Sequence, residues 1–217
     1  MIWQYGISCG GSNKLRVVAL SSGGLDSSIM MFLFKKRGYQ IFPLFIDYGQ
    51  LAATVEWKAC QRISRYLSLE PKRMDIHDLG SVIPSGLTNQ DLDIKEKAFL
   101  PTRNLLFLTL GAAYGYSKSA HVIAIGLLSN PIFPDQTSEF IHEAEKTISK
   151  ALDLDISILA PLISLNKVDI IQLARQYNFP IDYTYSCHSG LQKPCGRCIS
   201  CNERLAAEKA LANLKQD

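Results

Sequence analysis

The chain has 217 residues, enough for one substantial domain or a domain with a small appendage. Hydrophobic residues make up 47% and charged residues 20%, an ordinary globular balance, and a net charge of +3 is too weak to argue for nucleic acid or an anionic membrane surface as a partner. The densest apolar run, Ile29 to Phe34, is far too short to span a bilayer, and Met1 to Gly6 lacks the basic and apolar regions of a signal peptide. The expectation is a soluble, cytoplasmic protein.

Strand-like and helix-like segments alternate. Leu15 to Leu20 is short, β-branched and followed by glycines, which predicts a buried strand. A helix is predicted from Asp26 to Arg37 with Gly38 as its stop, then a strand from Gln40 to Ile46. A second helix covers Thr54 to Ser68, with Val55, Ala59, Ile63 and Leu67 on one stripe, and a third strand covers Lys72 to Ile76. The stretch from Asp78 to Leu100 has no clear period and holds Pro84, Gly86 and Asn89, which marks a functional lid or mobile loop. Further helices are expected at Arg103 to Ser117, Thr137 to Lys150 and Lys167 to Tyr177, with strands at His121 to Gly126 and Ile156 to Ala160. Asn166 is placed to cap the helix at Lys167, with Asp169 favourable in its first turn. A cysteine-rich tail and a last helix from about Asn202 to Leu214 complete the chain. Such alternation implies α/β: a doubly wound parallel sheet with helices on both faces, binding ligands beyond the carboxyl ends of its strands.

The first strand-to-helix turn reads Ser21-Ser22-Gly23-Gly24-Leu25-Asp26-Ser27-Ser28. Glycines without Cβ atoms let backbone approach an anion, and N–H groups at a helix start favour phosphate. The hydroxyls of Ser22, Ser27 and Ser28 add donors. Asp26 beside phosphates implies a Mg²⁺ ion or a role in orienting the loop. The spacing matches neither the dinucleotide-binding Gly-x-Gly-x-x-Gly fingerprint nor a Walker loop. A phosphate cradle for ATP is therefore expected, opposed by the plainer reading of a serine- and glycine-rich capping turn.

Four of the six cysteines, Cys187, Cys195, Cys198 and Cys201, fall within fifteen residues, separated by seven, two and two positions. In a reducing compartment this is a metal site rather than a disulfide framework. Tandem Cys-x-x-Cys turns, bent by Pro194 and Gly196, let three thiolates converge, and a fourth closes a tetrahedral structural zinc site. An iron–sulfur cluster accepts such spacings too. Arg197 and Lys193 would soften the thiolate charge, and His188 reads as a neighbour or solvent-facing residue before it reads as a ligand. Cys9 and Cys60 read as small apolar fillers or surface thiols.

Ser22 to Ser27 resembles the pyrophosphate loop of the N-type ATP pyrophosphatases. Phe45-Ile-Asp-Tyr-Gly-Gln50, Leu100-Pro-Thr-Arg-Asn104, Pro161 to Lys167 followed by Ile170-Ile171, and Ser186-Cys187 with Pro194 to Arg204 resemble, in the same order, motifs of the 7-cyano-7-deazaguanine synthase (QueC) family. The resemblance implies an adenine-nucleotide-hydrolase-like domain over residues 1–180, carrying at 181–217 a zinc-binding extension that is part of the same domain. It implies a homodimer, and it favours zinc over iron–sulfur for the four cysteines. It also implies adenylation of 7-carboxy-7-deazaguanine, displacement of AMP by ammonia to give the amide, and a second activation that dehydrates it to the nitrile.

On the matching positions it implies nucleotide contacts by Ser21, Ser22, Gly23, Gly24, Leu25, Asp26, Ser27, Ser28, Asp47, Gln50, Arg103 and Asn104. Ser22, Asp26, Ser27, Asp47 and Arg103 carry the catalytic roles. Asp47 ends the second strand, where it can hold Mg²⁺ or the nucleotide, and Arg103 suits a phosphate or carboxylate. His77, His121 and His142 have no motif around them, while Asp182 and Tyr183 are placed to border the purine pocket.

Two stretches depart from the family. After Asp-Tyr-Gly-Gln the family continues Arg-His, where this chain has Leu51-Ala52. Leu128 to Thr137 keeps the family's Pro134 and Asp135 but has Gln136 and Thr137 in place of Cys and Arg. One alternative is therefore a QueC-like ligase that joins the acid to another amine, such as a protein N-terminus, in antiviral defence. An inactive nucleotide-binding partner and a sulfur-transfer enzyme are further alternatives; the intact loop opposes the first, and the want of a basic patch or RNA-binding domain opposes the second.

Overall fold

The first strand divides the hydrophobic core in two. In this computed structural model, which describes residues 14–94 and 98–213, β1 (Arg16–Leu20) turns Val17 and Ala19 to one face and Val18 and Leu20 to the other. All four are buried, as a central parallel strand requires. On the first face pack Ile29, Met30 and Phe34 of α1 (Leu25–Lys36), Ile63 of α2 (Ala53–Tyr66), Ile170 and Ala174 of α6 (Lys167–Gln176), and Ala207 and Leu211 of α7 (Ile199–Asn213). On the second pack Leu108 and Ala112 of α4 (Arg103–Ser117) with Ile141, Ala144 and Ile148 of α5 (Ser138–Leu152).

Five strands, β1, β2 (Gln40–Asp47), β3 (Lys72–Asp75), β4 (Val122–Ala124) and β5 (Ser157–Leu159), pair in parallel in the order β3-β2-β1-β4-β5. The expected doubly wound sheet is found. Its order reverses between β1 and β4, so a crevice opens beyond the carboxyl ends of these two strands.

Most element boundaries fall within a few residues of the sequence expectation. Asn166 caps α6: its Oδ1 accepts from the N–H groups of Val168 and Asp169 at 2.8 and 3.1 Å, and Asp169 Oδ2 accepts from Asn166 N–H at 2.8 Å. Thr137 caps α5 in the same way, accepting from Phe140 N–H. Between Asp78 and Ile94 the chain holds a short helix, α3 (Leu79–Val82), followed by turns. Helix α7 starts at Ile199, three residues before the expected start, because the second Cys-x-x-Cys turn leads directly into it. Cys9 and Leu214 lie outside the described residues. Among those described, no helix is long and apolar enough to cross a membrane.

Candidate active site

The turn after β1 is shaped by its own backbone and hydroxyls. Gly23 has φ +74°, and a Cβ there would lie 2.4 Å from the carbonyl oxygen of Glu56 and 2.8 Å from Cys60 N. Only glycine lets the loop lie this close to α2. Ser22 Oγ accepts from Gly24 N–H at 3.2 Å and lies 3.2 Å from Ser27 Oγ, while Ser28 Oγ donates to the Gly24 carbonyl at 2.6 Å. From the other side, Gly126, just beyond β4, comes so close that a Cβ would be 3.0 Å from Ser27 N. The start of α1 is thus wedged at the switch point, where Leu25 N–H donates to Ser186 Oγ at 3.5 Å.

That crevice is a cleft of about 300 Å³. Of the residues assigned from sequence, Ser21, Ser22, Gly24, Asp26, Ser27, Gln50, Arg103 and Asn104 line it. Four do not. Gly23 supports the loop from below, Leu25 is buried among core residues, and Ser28 is spent on Gly24. Asp47, fully buried, accepts from Gly49 N–H at 3.0 Å, pairs with Arg73 and sits 3.5 Å from His77 Nδ1. Ser21 is also buried, its hydroxyl 3.3 Å from the Cys60 sulfur, and burial pushes the Cys60 thiol up to about 11, in keeping with an inert filler.

Asp26 faces the cleft paired with Lys167, whose Nζ stands 2.6 and 2.8 Å from its two oxygens. Lys167, the first residue of α6, was not among the site residues read from sequence. The Asn166 cap fixes the helix end from which it reaches across. Asn104 binds the altered 128–137 segment: its backbone N–H donates to Asp135 Oδ2 at 3.1 Å and its Nδ2 to the Asp135 carbonyl at 3.0 Å. Phe99 and Phe133 stack at 5.0 Å across the same junction. Gln136, in the family's cysteine position, accepts from the N–H groups of Ile132 and Phe133 at 2.7 and 3.0 Å and so shapes its own turn.

Two further residues line the cleft: His188, read from sequence as a neighbour of the cysteines or a solvent-facing residue, and Glu56, which carried no sequence signal. His188 sits with Nε2 3.0 Å from Ser200 Oγ and Nδ1 buried, with no hydrogen-bond partner among the described residues. Burial, with help from Arg103 and Lys167, lowers its pKa to about 4, so it is neutral at pH 7. Glu56, in the first turn of α2, accepts from Gln50 Nε2 at 3.0 Å, and burial raises its carboxyl to about 7. A lone acid in a first helical turn reads as dipole compensation, and nothing in the linear pattern turns it toward a cleft.

The C-terminal tail forms the far wall. Tyr185 N–H donates to the Gly23 carbonyl at 2.9 Å, which ties the segment preceding the cysteines to the loop after β1. The Sγ atoms of Cys187, Cys195, Cys198 and Cys201 all lie within 4.8 Å of one another. N–H groups point at the sulfurs, with Cys195 N 3.2 Å from Cys187 Sγ and Cys198 N 3.4 Å from Cys195 Sγ. Against the upward pull of burial, donors from Ser189 and Cys195 hold the Cys187 thiol down at about 6, whereas burial pushes Cys198 and Cys201 up. Four sulfurs this close cannot all ionise unless a cation sits between them, and a tetrahedral ion with bonds of about 2.3 Å fits such a cluster. The cluster can hold a metal. Of the apolar pair Leu51-Ala52, where the family has Arg-His, Ala52 packs against this wall, buried with Tyr185, Cys187 and Cys198.

Comparison with known proteins agrees with this architecture. The family model "Queuosine biosynthesis protein QueC" matches residues 16–212. The 7-cyano-7-deazaguanine synthase of Nautilia profundicola is 32% identical over 209 residues, covering 90% of this chain and 94% of that one. The synthase of Acetivibrio thermocellus is 34% identical over 209 residues, covering 89% and 93%. Among solved structures, an NH3-dependent NAD synthetase from Campylobacter jejuni superposes with a TM-score of 0.54 at 17% identity, over 82% of this chain and 72% of that one. A U34-tRNA thiolase from Methanococcus maripaludis gives 0.53 at 15% identity, over 94% and 68%. These two share the fold. With a matching family model across nearly its whole length and synthase relatives above 30% identity, the chain belongs to the QueC family.

Proposed function

We propose that this chain uses Mg²⁺ and ATP to adenylate 7-carboxy-7-deazaguanine, and that ammonia then displaces AMP to give the amide and, after a second activation, the nitrile. The observation that carries the reading is the serine–glycine loop wedged at the sheet's switch point, opening on a cleft that also holds Lys167 and Arg103. A carboxylate is a poor electrophile, and its mixed anhydride with AMP is a good one. Attack of the carboxylate on the α-phosphorus gathers charge on the departing pyrophosphate, and fixed N–H groups, Lys167 and Arg103 are suited to that charge. Asp26, now paired with Lys167, would hold the Mg²⁺, which would offset the negative charge gathered on the phosphates. Zinc in the four-cysteine cluster would be structural, since four sulfurs leave no open coordination position. The reading further takes the enzyme to be a cytoplasmic homodimer.

A second reading draws on the 128–137 segment. Leu128, Asn130, Ile132 and Phe133 line the cleft, and Gln136 and Thr137 are committed to local hydrogen bonds where the family has Cys and Arg. In that reading the adenylate is made, but a different amine, such as a protein N-terminus, takes the acyl group, as in an antiviral defence system.

Incubation with magnesium ATP and 7-carboxy-7-deazaguanine, with and without ammonium, separates the two by product mass. The first reading expects acid-dependent AMP and, with ammonium, conversion through the amide to the nitrile. Products that stop at adenylate or amide support the second, and no acid-dependent AMP would defeat both.

A further inference from the structure

The same reading leaves one chemical step without an agent. When an amine displaces AMP from an acyl adenylate, the nitrogen lone pair forms the C–N bond, and the C–O bond breaks with its electron pair left on the AMP phosphate. The surplus proton on nitrogen must go to a base. The cleft offers few candidates. Asp26 is paired with Lys167 at 2.6 and 2.8 Å; burial raises the Glu203 carboxyl, but this residue stands beside that pair, across the cleft from the loop–α2 contact. Asp47 is turned away to Arg73 and Gly49. Tyr185 donates its hydroxyl to the Leu191 carbonyl at 2.6 Å, and burial pushes the Tyr48 phenol up. His188 Nε2 is engaged by Ser200, and its Nδ1 is enclosed.

Glu56 differs from all of these. Its own backbone carbonyl packs under Gly23, so the carboxyl is fixed beside the phosphate loop. Gln50 sets its orientation. Gln50 Oε1 accepts from Tyr48 N–H at 2.9 Å, which leaves Nε2 to donate to the Ile46 carbonyl at 3.3 Å and to Glu56 Oε2 at 3.0 Å. With Oε2 held as an acceptor, Oε1 is the atom left to receive a proton. The charged and titratable groups that act on the carboxyl are Arg103 from α4, Asp47 and Tyr48 at the end of β2, Cys60 on α2, and Tyr185 and Cys187 from the C-terminal segment.

We propose that Glu56 is the catalytic residue that takes the proton from the attacking nitrogen as the activated carboxyl becomes its amide. The inference rests on the adenylation reading above and adds to it the base of the second half-reaction. Burial places this carboxyl near the operating pH, where a general base is most effective.

Wild type, Glu56→Gln and Glu56→Asp are compared with magnesium ATP and 7-carboxy-7-deazaguanine, with either ammonium or the less basic hydroxylamine as nucleophile. Single-turnover pyrophosphate release and amide or hydroxamate formation are followed separately. Glu56→Gln is expected to lose amide formation from ammonium about 10²–10³-fold, well beyond its loss in pyrophosphate release, and less with hydroxylamine. Measured at constant free ammonia, the wild-type amide rate climbs through about pH 7 as the carboxyl ionises; the climb vanishes in Glu56→Gln and returns in part in Glu56→Asp. Wild-type amide formation by Glu56→Gln, equal losses in both half-reactions, or an unchanged pH profile overturns the assignment. A wild type that releases no pyrophosphate in response to the acid overturns the parent reading instead.

Discussion

Replacing Gly23 with alanine is expected to destabilise the protein by about 2–4 kcal/mol and to reduce ATP consumption at least about a hundredfold. Two costs add. The left-handed backbone at φ +74° disfavours any Cβ, and the new methyl would press to 2.4 Å from the Glu56 carbonyl and 2.8 Å from Cys60 N, both main-chain atoms that cannot swing aside. Relief requires the loop to lift away from α2, which misdirects the N–H groups meant for phosphate. Gly38 is the control. Its φ is +79°, but nothing lies within 4 Å of a Cβ there, so Gly38→Ala carries the backbone cost of about 1–2 kcal/mol and leaves turnover intact. Thermal melts and acid-dependent pyrophosphate release on the pair check this. Equal behaviour of the two variants would show that the close packing of loop on helix is unimportant.

Replacing Cys198 with serine is expected to abolish metal retention by the four-cysteine cluster and to lower the melting temperature by more than about 10 °C. Cys198 is fully buried, in a cluster with Cys187, Cys201, Ala52, Ala59 and Tyr185. Loss of the ion leaves crowded buried sulfurs with no counter-charge, so the cluster must open. The damage travels, because Tyr185 N–H is tied to the Gly23 carbonyl and Ser186 and His188 line the cleft. Turnover should therefore fall with metal content, although none of the four cysteines lines the cleft. Elemental analysis beside the melt tests the link, and a strong chelator should reproduce the effect on wild type. Cys60→Ala should keep its metal, since Cys60 stands apart from the four.

What was legible in the sequence and what was not divide along sequence distance. Short-range signals sufficed for β1, the loop and the start of α1, because two glycines and their hydroxyls act within a few residues of each other. The Asn166 cap was likewise local, and the four cysteines announced themselves by spacing. Lys167 meets Asp26 across 141 residues of chain, and Arg73 meets Asp47 across 26, so the partner of neither acid could be read from the linear pattern. Asp47 looked free at a strand end, yet in the fold its carboxylate belongs to Arg73 and Gly49. Glu56 escaped notice for the same reason: its neighbours Gly23, Arg103 and Cys187 come from three other parts of the fold. In the 128–137 stretch, Asp135 is tied to Asn104, a connection that depends on how α4 lies over the sheet.

The central claim is that the acid's own carboxylate attacks the α-phosphorus of ATP. It is tested most directly by supplying 7-carboxy-7-deazaguanine labelled with ¹⁸O in its carboxyl group, together with magnesium ATP and ammonium, and weighing the nucleotide product. The account predicts AMP that carries one ¹⁸O atom, because the oxygen that attacked phosphorus departs with AMP when nitrogen displaces it. Unlabelled AMP, or label recovered in inorganic phosphate with ADP as the nucleotide, would contradict it.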